Sequence, residues 1–309
     1  MAADATPAKS IQLDIGATAP NARGLQRDAV RERLTLLCLS APAFILVLIT
    51  MVAPVTWLFW LSFLADDGGF SLEHYKRMIE QPSYGRTFLT TFNVSLLTTG
   101  ICVVLGYPLA YVLSQLPQRV ANLCLIAVLL PFWTSLLVRT YAWLALLQRK
   151  GLINNWGIGL GLWDEPLALV HNLMGTLIGM VHIMLPFLVL PVLGAMRAID
   201  RDYLKAAANL GAGPVRAFWL VFFPLSMPGL LAGALIVFIL CLGFYVTPAL
   251  LGSPAETMIS QTIMIEASEN FDYERASAAG ALLLLITIAI VTVYNRYFGL
   301  ERLWGGSER

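Results

Sequence analysis

The sequence is poor in charge. Asp, Glu, Lys and Arg make up only 13% of its 309 residues, whereas 58% are hydrophobic, and the mean hydropathy is +0.73. A soluble domain carries about twice that share of charge, so an ordinary soluble fold is excluded. No GxxxxGK[ST] phosphate cradle occurs, which leaves ATP chemistry outside this chain. The only histidines, His74, His171 and His182, cannot supply HExxH or any comparable metal spacing. Cys38, Cys102, Cys124 and Cys241 form no CxxC pair and lie in apolar stretches, so they read as small buried residues rather than as disulfides or a zinc site. A net charge of +1 gives no general attraction to nucleic acid. No nucleophile with a convergent base, and no carboxylate pair, stands within the apolar runs, so catalysis by this chain is not expected and no catalytic residue is assigned.

What is present is a series of long charge-free runs. A bilayer core needs about 20 apolar residues, and six runs meet that length, with cores at 34–62, 87–114, 121–147, 172–194, 229–251 and 276–296. The expected class is all-α, a polytopic membrane protein with six transmembrane helices. Excess length is assigned to tilt, to interfacial helix, or to kinks at Pro42, Pro54, Pro108, Pro131 and Pro186. None of the six cores contains Asp or Glu, the residues with which ion-coupled transporters relay protons or sodium.

Orientation follows from basic residues. The polar segment 1–33 ends in Arg23, Arg27, Arg31 and Arg33, and the apolar run after it is too long for a cleaved signal peptide. Placing this segment in the cytoplasm also puts Arg119, Arg197, Arg201, Lys205, Arg216, Arg296, Arg302 and Arg309 inside. Both termini are then cytoplasmic, with a flexible tail at 1–33 and a second tail at 297–309 around a six-span transmembrane domain at 34–296. The outer loops hold an acidic surplus that includes Asp66, Asp67, Glu256, Glu266, Glu269, Asp272 and Glu274. They read either as solvated loops or as a surface for a soluble partner.

The inner segment 197–228 is neither membrane-like nor low in complexity. Asp200 or Asp202 can cap a short helix through Lys205, Ala206, Ala207 and Ala208. Gly211 can end it in a left-handed conformation and admit another backbone closely, and Gly213-Pro214 restarts the chain. Pro224 and Pro228 are expected to break it again before the fifth span. The reading is two short surface helices around a small-residue turn, shaped to dock in a cleft.

This segment resembles the EAA loop of binding-protein-dependent ABC transporter permeases, whose pattern is Glu-Ala-Ala, three residues, Gly, nine residues, then Ile-x-Leu-Pro. Ala206, Ala207, Gly211, Val221, Phe223 and Pro224 fall on that spacing, with Lys205 at the Glu position and Asp202 as a substitute acid. The block Gly106-Tyr107-Pro108-Leu109-Ala110-Tyr111, together with 131–143 and 243–252, is similar to the spermidine/putrescine subgroup. Many relatives carry an acid where this chain has Phe244. The resemblance implies the MetI-like ABC importer permease fold in a bacterial inner membrane, and a loop seated in an ATPase subunit. It further implies a second, unlike permease subunit, surrounding membrane lipid, and a periplasmic or lipid-anchored substrate-binding protein. No cofactor is expected on this chain, ATP and Mg being held by the ATPase. The implied cargo is a polyamine, or another small cationic or zwitterionic solute such as an opine. The rival readings are an ion-gradient-driven secondary transporter and a membrane scaffold that moves nothing.

Candidate translocation-path residues are Trp133, Arg139, Tyr141, Trp143, Phe244 and Tyr245. Arg139 lies mid-core, too deep to snorkel easily. It can face a water-filled path and select an anionic group, pair with a partner permease, or pack near kinked helix ends. The aromatic faces can hold an ammonium by cation–π contact or serve as belt and packing residues. His182 reads as a neutral imidazole bonded between helices, or as a gate. Gly175 and Gly179, like Gly229 and Gly233, have the GxxxG spacing that serves packing within the chain or at a subunit seam.

Overall fold

A computed structural model describes residues 22–64 and 69–298, without the side chains of 22–30, 32–34, 36–37 and 298. The expected tails at 1–21 and 299–309, with Arg302 and Arg309, lie outside the described residues, as do Asp66, Asp67 and the side chains of Arg23, Arg27 and Arg33. The described residues are almost wholly helical. The only β-pairing among them is an isolated bridge between Leu64 and Phe70. Five helices are long and apolar enough to cross a membrane, and a bent pair makes up to six.

The chain divides into two compact units, one ending at Trp57 and the other beginning at Leu58. The first is helix α1, Ala22–Ser62, up to Trp57. It starts at Ala22, so the last residues of the expected tail are helical. Pro42 and Pro54 lie inside it without ending it. Thr50 and Thr56 return their hydroxyls to carbonyls four residues back, at 2.9 and 2.8 Å, which satisfies a polar group where lipid cannot.

The second unit holds the core. After the short α2, Glu73–Glu80, come α3, Pro82–Gln115, and α7, Leu173–Ala198; α10, Phe223–Leu242, completes the central trio. Their shared interior includes Val94, Cys102, Ala110, Met184, Leu188, Val192, Val237 and Cys241. Polar residues in α3 are also bonded: Thr99 donates locally to the Ser95 carbonyl at 2.7 Å, and Thr91 accepts from the distant Ile259 N–H at 2.8 Å. That second bond fixes the start of α12, Ile259–Ser268, which packs with α13, Tyr273–Phe298.

The glycine pairs explain the close seams. A Cβ at Gly233 would lie 3.0 Å from the Leu188 carbonyl oxygen, and one at Gly229 would collide with Ala195 Cβ, both on α7. At Gly179 a Cβ would come within 2.6 Å of Leu251 and Thr247, which belong to α11, Val246–Leu251. Both GxxxG pairs therefore pack within this chain.

Two expected spans differ in the structure. The run 121–147 is not one straight helix: α4, Gln118–Leu129, ends in a 3₁₀ turn at Leu130–Trp133, the chain bends by 97°, and α5, Leu136–Leu147, then leads on to α6, Leu152–Gly159. Thr134 and Ser135 are extended, with ψ of 150° and 140°, which breaks the helical ladder. The fifth helical run is displaced from 229–251 to Pro214–Leu242, and Gly243 ends it before α11. Pro224 and Pro228 do not break it. Between α9, Pro214–Ala217, and α10 the chain makes a π-turn at Phe218–Phe222, where the Phe223 N–H reaches back to the Phe218 carbonyl. The wider turn carries the helix into Pro224 without a stop.

Candidate functional site

The candidate coupling segment begins with α8, Arg201–Asn209. Asp200 caps it, its side chain accepting the Asp202 N–H at 2.9 Å. At the other end the Gly211 N–H donates to the Ala208 carbonyl at 2.9 Å, and the Ala212 N–H to the Ala207 carbonyl at 3.0 Å. These paired bonds form a Schellman closure with Gly211 at the left-handed position, φ +83°. A Cβ there would meet nothing within 4 Å, so what selects glycine is the backbone angle, not a close neighbour within the chain. Gly213 then caps α9, with Pro214 at its first turn.

The expected pair of separate surface helices is thus corrected: α8 is a free-standing helix, but α9 is the first turn of the next long helix. Asp202, Lys205, Ala206 and Gly211 are exposed on the knob, Ala207 is buried beneath it, and Pro224 sits further along the long helix. Lys205 Nζ binds Asp202 Oδ1 at 2.8 Å, with both side chains about three-quarters exposed. Such a surface pair is worth about 0–1 kcal/mol. It occupies Lys205 locally, at the position where the EAA pattern has Glu. Sequence reading missed the knob's apolar tip, formed by Tyr203, Leu210 and Val215, which are 58%, 89% and 70% exposed.

Beneath the knob lies an aromatic cluster that sequence reading also missed, although the block at 106–111 contains two of its five rings. Tyr111 meets Phe218 and Phe222 edge-on at 5.2 and 5.3 Å, and Tyr107 meets Phe223 at 5.6 Å. The hydroxyls of Tyr107 and Ser226 are bonded at 2.8 Å. Leu204 of α8 and Phe218 both pack on the α3–α7–α10 core. The knob thus rests on interlocked rings of the π-turn and α3.

The candidate path residues do not converge. Arg139 is buried, and its guanidinium donates to the carbonyls of Pro131 and Thr134, the latter at 3.0 Å, and to the Thr134 hydroxyl at 3.5 Å. Its carbon end lies 5.7 Å from the Phe132 ring. The charge thus caps the carbonyls freed by the bend, which have no water to turn to in a bilayer. Trp143 donates its indole N–H to His182 Nδ1 at 3.0 Å, joining α5 to α7. Phe244 packs on the core, and its carbonyl accepts from the Ser260 hydroxyl at 2.8 Å. Trp133, Tyr141 and Tyr245 are exposed on this chain. Buried Thr140 and Thr247 bond each other at 3.2 Å, so both irregular regions, α5 and α11, meet at one point. Among the described residues no group of His, Cys, Asp and Glu could hold a metal ion.

Residues 15–300 match the family model described as the binding-protein-dependent transport system inner membrane component. The spermidine/putrescine transport system permease protein PotB of Escherichia coli K12 is 33% identical over 241 residues, covering 76% of this chain and 87% of that protein. The crystal structure of a bacterial ABC transporter involved in import of the acidic polysaccharide alginate superposes with a TM-score of 0.69 at 19% identity, over 89% of this chain and 98% of that one. The crystal structure of a bacterial alginate ABC transporter in complex with alginate pentasaccharide-bound periplasmic protein gives a TM-score of 0.67 at 18% identity, over 93% of this chain and 99% of that one. At that identity the likeness carries the fold alone. The apolar helices, the capped loop on the EAA spacing and these matches agree: the chain is a multi-pass inner-membrane protein and belongs to the binding-protein-dependent transport system permeases, the membrane components of ABC importers.

Proposed function

We propose that this chain is one of two unlike membrane subunits of an ATP-driven importer for polyamines or related small cationic or zwitterionic solutes. In this reading both termini and α8 face the cytoplasm, and the tip formed by Leu210 and Gly211 sits in a groove of an ATPase subunit that holds ATP and Mg. A substrate-binding protein delivers solute to the opposite face. ATP-driven closure of the ATPase pair presses on α8, and the aromatic cluster passes the displacement to α3 and α10, which rock against α7 to change access. The observation that carries the reading is the Schellman-closed knob with its exposed apolar tip, anchored through Leu204 and the Tyr107–Tyr111 rings.

The polyamine assignment is supported by the PotB relative. Arg139 is bonded to backbone carbonyls at the bend, so its presence in the apolar core does not call for an anionic cargo. Tyr141 and Tyr245 offer exposed ring faces for cation–π contact, worth about 0.5–2 kcal/mol each. The test is purification of the tagged chain from its native membrane in gentle detergent, with mass spectrometry of what accompanies it. An ATPase, a second permease and a binding protein are expected, with spermidine or putrescine binding to the last. Recovery of the chain alone would contradict the importer assembly, and a binding protein selective for other solutes would contradict the cargo.

A further inference from the structure

Behind the knob, on the side of α8 that faces the helix bundle, lies a cavity of about 560 Å³. Its walls are the turn between α3 and α4, the last turn of α7, the start of α8, and Phe222 of the π-turn. Leu116, Met196, Leu204 and Phe222 give it an apolar floor. Arg197, Arg201 and Lys205 stand around it, and no carboxylate is among its lining residues. Lys205 is held by Asp202. Among the described residues neither Arg197 nor Arg201 makes an ion pair. Gln115 and Gln118 each donate one amide hydrogen locally, to Ser114 and to Asn122, which leaves the second hydrogen of each for a ligand.

Like charges gathered on one concave wall repel each other, and an oxyanion between them relieves that repulsion while accepting several charge-assisted hydrogen bonds. Arginine forks suit phosphate oxygens in particular. We propose that this cavity binds a phosphate group, through Arg197 and Arg201 with the Gln115 and Gln118 amides, and that the bound group braces α8 against α3 and α7. The consequence for transport rests on the coupling role assigned to α8; the binding does not. The phosphate can come from the headgroup of an anionic phospholipid, for which the apolar floor beside a cationic rim at a membrane edge is well shaped, or from a soluble phosphate.

The complex purified from its native membrane is placed in nanodiscs of phosphatidylcholine alone or of phosphatidylcholine doped with phosphatidylglycerol. Native mass spectrometry reads retained lipid, and phosphorus NMR line broadening reads binding of added inorganic phosphate. The unaltered complex should retain phosphatidylglycerol if the source is lipid, or broaden the phosphate line saturably in phosphatidylcholine nanodiscs if it is soluble. The variant R197Q/R201Q should weaken whichever binding is seen by about tenfold or more, and R197K/R201K should recover part of it. Equal retention and equal broadening in the unaltered and glutamine forms would overturn the site, even with the ATPase present and transport intact. Absence of an ATPase subunit would instead count against the coupling reading, because the site is read from the difference between the unaltered and R197Q/R201Q forms, which cancels phosphate bound by any other subunit.

Discussion

The run Pro214–Leu242 and the bent pair α4–α5 handle broken regularity in opposite ways. Along Pro214–Leu242 the irregularity is absorbed within the helix: a π-turn takes up the strain ahead of Pro224, and glycines at 229 and 233 press the helix against α7. Between α4 and α5 the helix opens at Thr134 and Ser135, and a buried arginine satisfies the carbonyls set free. The first solution uses shape alone and yields a stiff lever beneath the knob. The second needs a charge inside an apolar region and yields a bend of 97°. An intramembrane charge, on this comparison, can be a consequence of backbone geometry rather than of cargo.

Overpacking the shape-based seam should have the largest effect. Gly233→Leu drives a branched side chain into Leu188 and its carbonyl, and should cost about 1–3 kcal/mol or more, read as a lowered unfolding temperature of the detergent-solubilised protein. Removing the charge-based cap comes next. Arg139→Met removes the side-chain donor from the Thr134 carbonyl, at about 1–3 kcal/mol, whereas Arg139→Lys should restore part of the stability and leave solute preference unchanged. A change in solute selectivity with stability intact would reassign Arg139 to the path.

Gly211→Val, at a left-handed φ with open space around it, should cost about 1–2 kcal/mol of local strain. Membrane insertion should persist while ATP hydrolysis is uncoupled from uptake. Lys205→Ala should shift stability least, by about 0–1 kcal/mol, because the Asp202 pair is exposed; a large loss of uptake would show that Lys205 reaches the partner.

The legibility of these features in the sequence follows the range of the interactions behind them. Spans at 87–114, 172–194 and 276–296 correspond to helices Pro82–Gln115, Leu173–Ala198 and Tyr273–Phe298, since absence of charge over 20 residues is a local property. Gly211 was readable for the same reason: a left-handed stop needs glycine at one position. Pro131 announced a kink close to the break at Thr134 but not its 97° size, because hydropathy measures polarity and not direction. The π-turn has no composition of its own. The glycine pairs announced close approach without naming a neighbour, because Ala195, Leu188 and Leu251 are chosen by the fold. Arg139 stayed ambiguous because its acceptors, five and eight residues back, come within reach only once the helix opens.

The account stands or falls on what the knob touches. Leu210, 89% exposed beside Gly211, can be replaced by the photo-crosslinking residue benzoylphenylalanine and irradiated in native membranes with and without ATP. The prediction is a single protein adduct with a nucleotide-binding subunit whose yield changes with ATP. Adducts with lipid or with the membrane subunits alone, indifferent to nucleotide, would contradict the assignment of α8 as the coupling element.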